Sequence, residues 1–250
     1  MPETTLPVFL VDRLPPVDSV VFDGEEARHA VTVRRIRVGE RILLSDGEGG
    51  LVRCVIDGVQ GGRDPALGLQ IEERWVEPPP ALRVTVVQAL AKGDRGELAV
   101  ELATEAGVDT IIPWRASRSV AKWEEGARGE KALARWRNTA RAAAKQARRA
   151  YVPRVLDPVT TRELTTLIET ADIALVLESG ITERLTDLTL PATGELLLVV
   201  GPEGGITDEE LTTLSDAGAH TVRLGPTVLR TSTAATVALG ALGALTTRWN

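Results

Sequence analysis

Leu196 to Val200 is an unbroken aliphatic run that ends at Gly201-Pro202-Glu203-Gly204-Gly205, after which Thr207-Asp208-Glu209-Glu210 opens a helix. A branched, apolar run closed by glycine describes a buried strand, and a threonine with glutamate three positions on forms a reciprocal helix cap. The pattern then repeats. The helix stops near Gly218, His220 to Leu224 reads as another strand, Gly225-Pro226 turns, and Thr233 through Ala244 makes a small-residue helix. Strands alternating with helices impose a mostly parallel sheet, whose ligands sit beyond the carboxyl ends of the strands. Both glycine-rich loops occupy such ends. A single Gly-Gly pair is usually just a tight turn. Two such loops, the second carrying Arg230 and the hydroxyls of Thr231, Ser232 and Thr233, point instead to a pocket whose backbone closes on a flat ligand.

Further upstream the alternation continues, with strands at Leu82 to Ala89, Thr110 to Pro113 and Ile173 to Leu177, a helix from about Gly93 to Ala106, and a strongly basic helix after Arg128. The first part of the chain is different. Short strands at Val8 to Val11, Arg41 to Ser45, Leu51 to Ile56 and Leu67 to Glu72 surround one helical segment near Glu25 to Arg34. Glu77-Pro78-Pro79-Pro80 then reads as a stiff linker. The expected fold is therefore α/β, with a small β-rich domain over 1–75 and an α/β domain over 76–250. Asp46-Gly47-Glu48-Gly49-Gly50 has the glycine density of a dinucleotide loop, but such a loop must open a helix, and Leu51 to Ile56 reads as a strand. It is a hairpin turn. The sequence holds no Gly-x-Ser-x-Gly elbow, P-loop, His-Glu-x-x-His pair or paired Cys-x-x-Cys, which removes the commonest hydrolase, kinase and metalloenzyme readings.

With 43% hydrophobic residues in 250, a proper core is expected. The longest apolar run, Val237 to Leu245, is short and broken by glycines, and the N-terminus lacks a charged-then-apolar pattern, so a soluble, cytoplasmic protein is expected. Cys54 is the only cysteine and falls in an alternating strand, which makes it a core residue. One cysteine and two histidines do not furnish a structural zinc site, so no metal is expected. The net charge of −6 argues weakly against nucleic acid, yet the charges are uneven. Nine basic residues and one acid lie between Arg128 and Arg154. Lys131, Arg135, Arg141, Lys145 and Arg148 approach one helical stripe, with Leu133, Trp136, Ala140, Ala143, Ala144 and Ala147 on the other side. A second cluster, Arg28, Arg34, Arg35, Arg37 and Arg41, surrounds His29. Two basic clusters in an acidic chain favour an RNA-binding surface over a merely solvated one.

Gly201 to Gly205, the Leu224-Gly225-Pro226 turn and Val228-Leu229-Arg230-Thr231 closely resemble the ribosomal RNA small subunit methyltransferase E family, SPOUT enzymes that methylate N3 of a uridine. Lys92-Gly93-Asp94-Arg95 and Ala103-Thr104-Glu105-Ala106-Gly107-Val108 are similar to two further segments of that family. Arg118-Ser119, Lys122, Gln146 with Arg149 and Val152-Pro153 also fit. In the first domain His29, Val33, Arg35 and Gly39 through Gly47 resemble its PUA-like RNA-binding module. The resemblance spans nearly the whole chain. It departs at Ser232, where the family usually carries glutamate, at Lys145, often glutamate, and at Pro7, where arginine is common.

The resemblance implies S-adenosyl-L-methionine as methyl donor, a trefoil knot in the C-terminal loops, a homodimer with composite sites, and ribosomal RNA within the small subunit as substrate. It implies that donor rests on Leu177, Glu178, Gly201, Leu224, Val228 and Leu229. Backbone groups of Gly204, Gly205 and Ala234, and neighbouring Pro202, Glu203, Gly225 and Thr233, complete the donor set. Arg28, His29, Arg34, Arg35, Lys92, Arg95, Arg118, Lys122, Gln146 and Arg149 are the RNA-binding candidates. Arg230 is the catalytic candidate, a permanently charged fork of donors that stabilises negative charge on the uracil oxygens. A phosphate clamp and an ion pair with Glu203 are the other readings of that residue. Glu203 itself reads as a modest base or as a helix cap, so the group that takes the N3 proton stays unassigned. Methylation of transfer RNA or of a ribose hydroxyl, and a non-catalytic assembly factor, are the competing functions.

Overall fold

The computed structural model describes residues 6–249. By contacts the chain divides into two units, 1–79 with 144–152, and 80–143 with 153–250.

The first unit is a five-stranded sheet in the order β1-β3-β4-β5-β2, formed by β1 (Val8–Leu10), β2 (Ser19–Phe22), β3 (Arg41–Ser45), β4 (Gly50–Gln60) and β5 (Ala66–Val76), with α1 (Gly24–Thr32) between β2 and β3. All neighbours are antiparallel except β1 and β3. Sequence periodicity gives no sign of β2, because its residues alternate only between exposed and half-buried. The turn from β3 to β4 is built by chemistry local to it. Asp46 Oδ1 accepts the Glu48 and Gly50 amides at 2.8 and 2.9 Å, and Gly47 and Gly49 adopt positive φ of 75° and 100°. Phe9, Ile42, Leu44, Val52, Leu67 and Leu69 fill the core around Cys54. Burial pushes the Cys54 thiol up to about 12, so it is a packing residue and not a thiolate. Residues 144–152 complete this unit: the Gly49 amide donates to Ala150 O, the Val152 amide to Gly47 O, and the Tyr151 hydroxyl to Glu77 O at 2.7 Å.

The second unit is a six-stranded, wholly parallel sheet in the order β11-β9-β10-β6-β7-β8. Its strands are β6 (Leu82–Ala89), β7 (Thr110–Trp114), β8 (Arg154–Val155), β9 (Ile173–Leu177), β10 (Gly194–Val200) and β11 (His220–Val222). Its helices are α2 (Arg95–Glu105), α3 (Ala127–Gln146), α4 (Thr161–Thr170), α5 (Asp208–Asp216) and α6 (Thr231–Leu245). Alternation along each strand feeds two cores. In β10, Leu196, Leu198 and Val200 join α2, α3 and α6 on one face, while Leu197 and Val199 join α4 and α5 on the other. Each fully buried aliphatic side chain contributes about 1.5–3 kcal/mol. At the amino ends of the strands, Arg248 beyond α6 is nearly buried and donates to Asp109 Oδ2 at 2.8 Å and to the carbonyls of Leu82 and Gly107. No helix among the described residues is long and apolar enough to cross a membrane.

The basic helix ends earlier than its charge pattern suggests. α3 stops at Gln146, Ala147 is exposed, and Arg148 lies beyond it with a left-handed φ of 57°, so the expected stripe loses its last member.

Candidate active site

The connection leaving β10 runs to β11 on one side and that leaving β6 runs to β7 on the other, so a crevice opens at the carboxyl ends. It is a cavity of about 520 Å³, walled by Leu177, Val200, Val222, Leu224 and Leu229 and by the loops after β9, β10 and β11. That volume lies in the range of small-molecule sites.

The glycines of the first loop answer to the protein's own packing. A Cβ on Gly201 would stand 2.7 Å from Ile206 Cγ1, and one on Gly204 would stand 3.1 Å from Arg118 Cβ and 3.3 Å from its carbonyl oxygen. Gly205 adopts φ 75°. These positions are thus constrained by the protein's own packing while also lining the cavity. Gly225 is the exception, with nothing within 4 Å of where its Cβ would be.

Thr231 ties the walls together. Its buried hydroxyl donates to Gly201 O at 2.7 Å and accepts from Gln88 Nε2 at 3.0 Å, joining α6, the first loop and β6. Arg230, directly before it, is the N-cap of α6. Its carbonyl accepts the Thr233 and Ala234 amides, but its side chain makes no cap. Among the described residues the exposed Arg230 guanidinium has no hydrogen bond or ion pair. The first turn of α6 carries no acid either. A cation held at the positive end of a helix is electrostatically unfavourable by itself, and negative charge brought to this spot is favoured by both.

Glu203 is not the partner of Arg230. Its Oε1 accepts the Lys92 amide at 3.1 Å and stands 3.6 Å from Arg95 Nη1. It does not cap α5 either, because Thr207 does so reciprocally with Glu210. Glu210 is 4% exposed and accepts from the Ser117 amide, the Thr161 hydroxyl, and the Thr207 amide and hydroxyl. Desolvation pushes its carboxyl up, but those hydrogen bonds together outweigh it and hold the group below its ordinary value.

Leu177, Glu178, Gly201, Pro202, Glu203, Gly204, Gly205, Leu224, Gly225, Val228, Leu229, Arg230 and Ala234 all line the cavity. Thr233 does not; its hydroxyl turns back to the Arg230 carbonyl. Glu178 Oε1 accepts the Ser179 and Gly180 amides, which fixes that loop. Sequence reasoning missed Ser179, Ile206, Arg223 and Thr227, and marked Thr231 only as one of three hydroxyls at the pocket. Thr231 is invisible to hydropathy, since only its long-range hydroxyl bonds mark it.

The RNA-binding candidates separate between the two units. Arg28 and His29 lie exposed on α1, Arg34 and Arg35 follow it with Arg35 at φ 53°, and Gln146 and Arg149 lie in the returning segment. Lys92, Arg95, Arg118 and Lys122 belong to the α/β unit, where Arg95 lines the cavity and Arg118 donates to Gly204 O at 3.3 Å. Several neighbouring cations are engaged in ion pairs: Arg41 with Glu72, Arg135 with Glu97, Arg137 with Asp157 and Lys145 with Glu26. Most of these are solvent-exposed and add little stability, but they leave the clusters less positive than counting suggests.

A sequence profile of RNA methyltransferase domains matches residues 77–243, and one of RNA methyltransferase PUA domains matches residues 22–63. The chain is 52% identical over 248 residues to ribosomal RNA small subunit methyltransferase E of Mycobacterium bovis, covering 97% of this chain and 93% of that protein. It belongs to that family. The Bacillus subtilis member is 33% identical over 226 residues, 88% of this chain and 87% of its own. Among solved structures, the ribosomal RNA small subunit methyltransferase E of Neisseria gonorrhoeae, bound to S-adenosyl methionine, superposes with a TM-score of 0.82 at 27% identity, covering 96% of this chain and 98% of that one.

Proposed function

We propose that this family member transfers a methyl group from S-adenosyl-L-methionine to N3 of a uridine in ribosomal RNA of the small subunit. The single observation that carries the chemistry is the unpaired Arg230 guanidinium at the open end of α6, facing the cavity at the strand ends.

The residues present fit the donor. Leu177, Leu224 and Leu229 offer apolar walls for a purine, and Glu178, Glu203 and the backbone of Gly201 to Gly205 offer polar groups around a volume of suitable size. When bound, the donor supplies an electrophilic methyl carbon and a neutral leaving group. The chain's part is alignment and charge. Uracil N3 loses its proton as it attacks, and the negative charge spreads to the two ring oxygens. Arg230 meets that charge with a planar pair of N–H donors, helped by the amino end of α6. Arg95 lines the same cavity but shares its charge with Glu203, which suits it to orient RNA at the mouth. Ser232, 3% exposed, supplies no carboxylate as base, so the N3 proton passes to solvent water as the methyl carbon bonds to N3 and the sulfonium sulfur leaves as a neutral thioether.

The same reading includes the trefoil knot and the homodimer, the latter supported by the small-residue α6 with its exposed Val237. Sedimentation at micromolar protein should give one dimeric species. Labelled donor and unmodified small subunits, followed by mass-spectrometric mapping of nucleosides, should yield N3-methyluridine. Label on a ribose, on transfer RNA or nowhere overturns the assignment.

A further inference from the structure

A second cavity of about 510 Å³ lies in the α/β unit between α2, α3 and the loop after β7. The ring of Trp123, half-buried on that loop, stands edge-on to Trp136 with centroids 5.0 Å apart and planes at 79°. Trp136 is itself buried against Gly96, where a Cβ would stand 3.0 Å from its Cζ2. Trp123 is thus braced by a buried indole while remaining half-exposed at the cavity. Lys122, Arg128, Lys131 and Arg135 rim the cavity, against the acids Glu97 and Glu124. Arg135 and Arg128 pair with those two acids, whereas Lys122 and Lys131 have no partner among the described residues. The net charge left at the rim is positive.

Position gives the cleft its meaning. Arg95 lines the donor cavity, while the next two residues of α2, Gly96 and Glu97, line the cleft. Arg118, which holds Gly204 O, precedes Lys122 by one turn of loop. The first turn of α2 therefore contributes to both the cavity and the cleft. A fixed aromatic face beside free cations is what an unstacked nucleotide requires: a π-surface for the base and charge for the phosphates.

We infer that this cleft holds an unpaired nucleotide of the RNA substrate near the target base, its ring stacked on Trp123 and its phosphates met by Lys122 and Lys131. The inference rests on the RNA methyltransferase reading above. Its role is to grip RNA in the ground state, so it belongs to KM and not to the chemical step.

Anisotropy of a short labelled oligoadenylate tests it without donor or turnover. Trp123→Ala should weaken binding roughly ten-fold, as loss of one stacked base does, and Trp123→Phe should restore most of it. Since Trp123 also packs on Trp136, a second variant avoids the core: Lys122→Ala with Lys131→Ala should lower the salt slope by about 0.7 per lysine. With small subunits, Trp123→Ala should raise KM and leave kcat near that of the parent protein. Unchanged oligoadenylate affinity in Trp123→Ala together with an unchanged slope in the lysine pair overturns the inference. So does dissociation of a dimer by Trp123→Ala, which would assign the cleft to a second copy of the chain. Failure of the unaltered protein to methylate small subunits would count against the proposed reaction alone, because the oligoadenylate measurement is independent of it.

Discussion

The helices α5 and α6 both begin directly after a glycine-bearing loop at the carboxyl end of a parallel strand, yet their first turns are opposites. α5 is closed: Thr207 and Glu210 cap each other, Asp208 and Glu209 sit in the first turn, and Glu210 is buried under hydrogen bonds from three segments. α6 is open, with an arginine where a capping side chain would be, no acid in its first turn and a free guanidinium beside the cavity. One helix end spends its electrostatic potential on the fold. The other is left unanswered by the protein itself. In the proposed reaction, chemistry belongs to the end left unsatisfied, in a cavity it shares with the glycine-rich loop.

The contrast is broken most forcefully at Arg230. Arg230→Lys keeps the charge but not the planar fork, and single-turnover methylation under saturating donor should slow by about a hundred-fold to a thousand-fold, with donor affinity retained. A near-parental rate would make the open helix end structural after all. Glu210→Ala is the matching change at the closed end. It strands the Ser117 and Thr207 amides and should cost about 3 kcal/mol of stability by denaturant unfolding, while the folded fraction binds donor normally.

The same carboxyl gives the comparison a pH dependence. Its folded pKa lies below the unfolded value, so its stabilisation is complete above the ordinary glutamate range and is lost as pH falls through the depressed folded pKa. Glu210→Gln should accordingly flatten the acid limb of the stability profile, whereas Arg230→Lys should leave that limb unchanged. Gly225→Ala sharpens the contrast at the second loop. Its Cβ meets nothing in the protein, so stability should hold, and donor affinity measured by calorimetry should fall roughly ten-fold, about 1.4 kcal/mol. Affinity unchanged by that methyl would remove Gly225 from the donor surface. The smallest effect is expected from Thr207→Ala, about 1 kcal/mol of unfolding free energy and no change in methylation rate.

Much of this was legible beforehand. The reciprocal cap at Thr207 and Glu210, the aliphatic runs of β6, β9 and β10 and the Asp46 turn depend on neighbours in sequence, and local pattern reports local forces. β2 escaped as a weakly patterned edge strand, whereas α4 carried a readable signal, a Thr160–Glu163 reciprocal cap with Leu164, Leu167 and Ile168 on one face. The site was legible in its loops but not in its logic. Glu203 lines the same cavity as Arg230 yet pairs with Arg95, and the glycines answer to Ile206 and Arg118. Such pairings span many positions, and no periodicity encodes them.

The hydroxyl of Thr231 has a kinetic consequence. Its two partners lie 30 and 143 positions away along the chain. Contacts of such separation close late in folding, because the chain's entropy must be overcome before they form. The walls that this group helps to join come from segments far apart in the chain, so a donor bound there favours the completed α/β unit. At a hundred times its Kd it should add about 2.7 kcal/mol to the unit's stability and slow its opening, which makes protection by donor a direct reading of how much newly made chain has completed its fold.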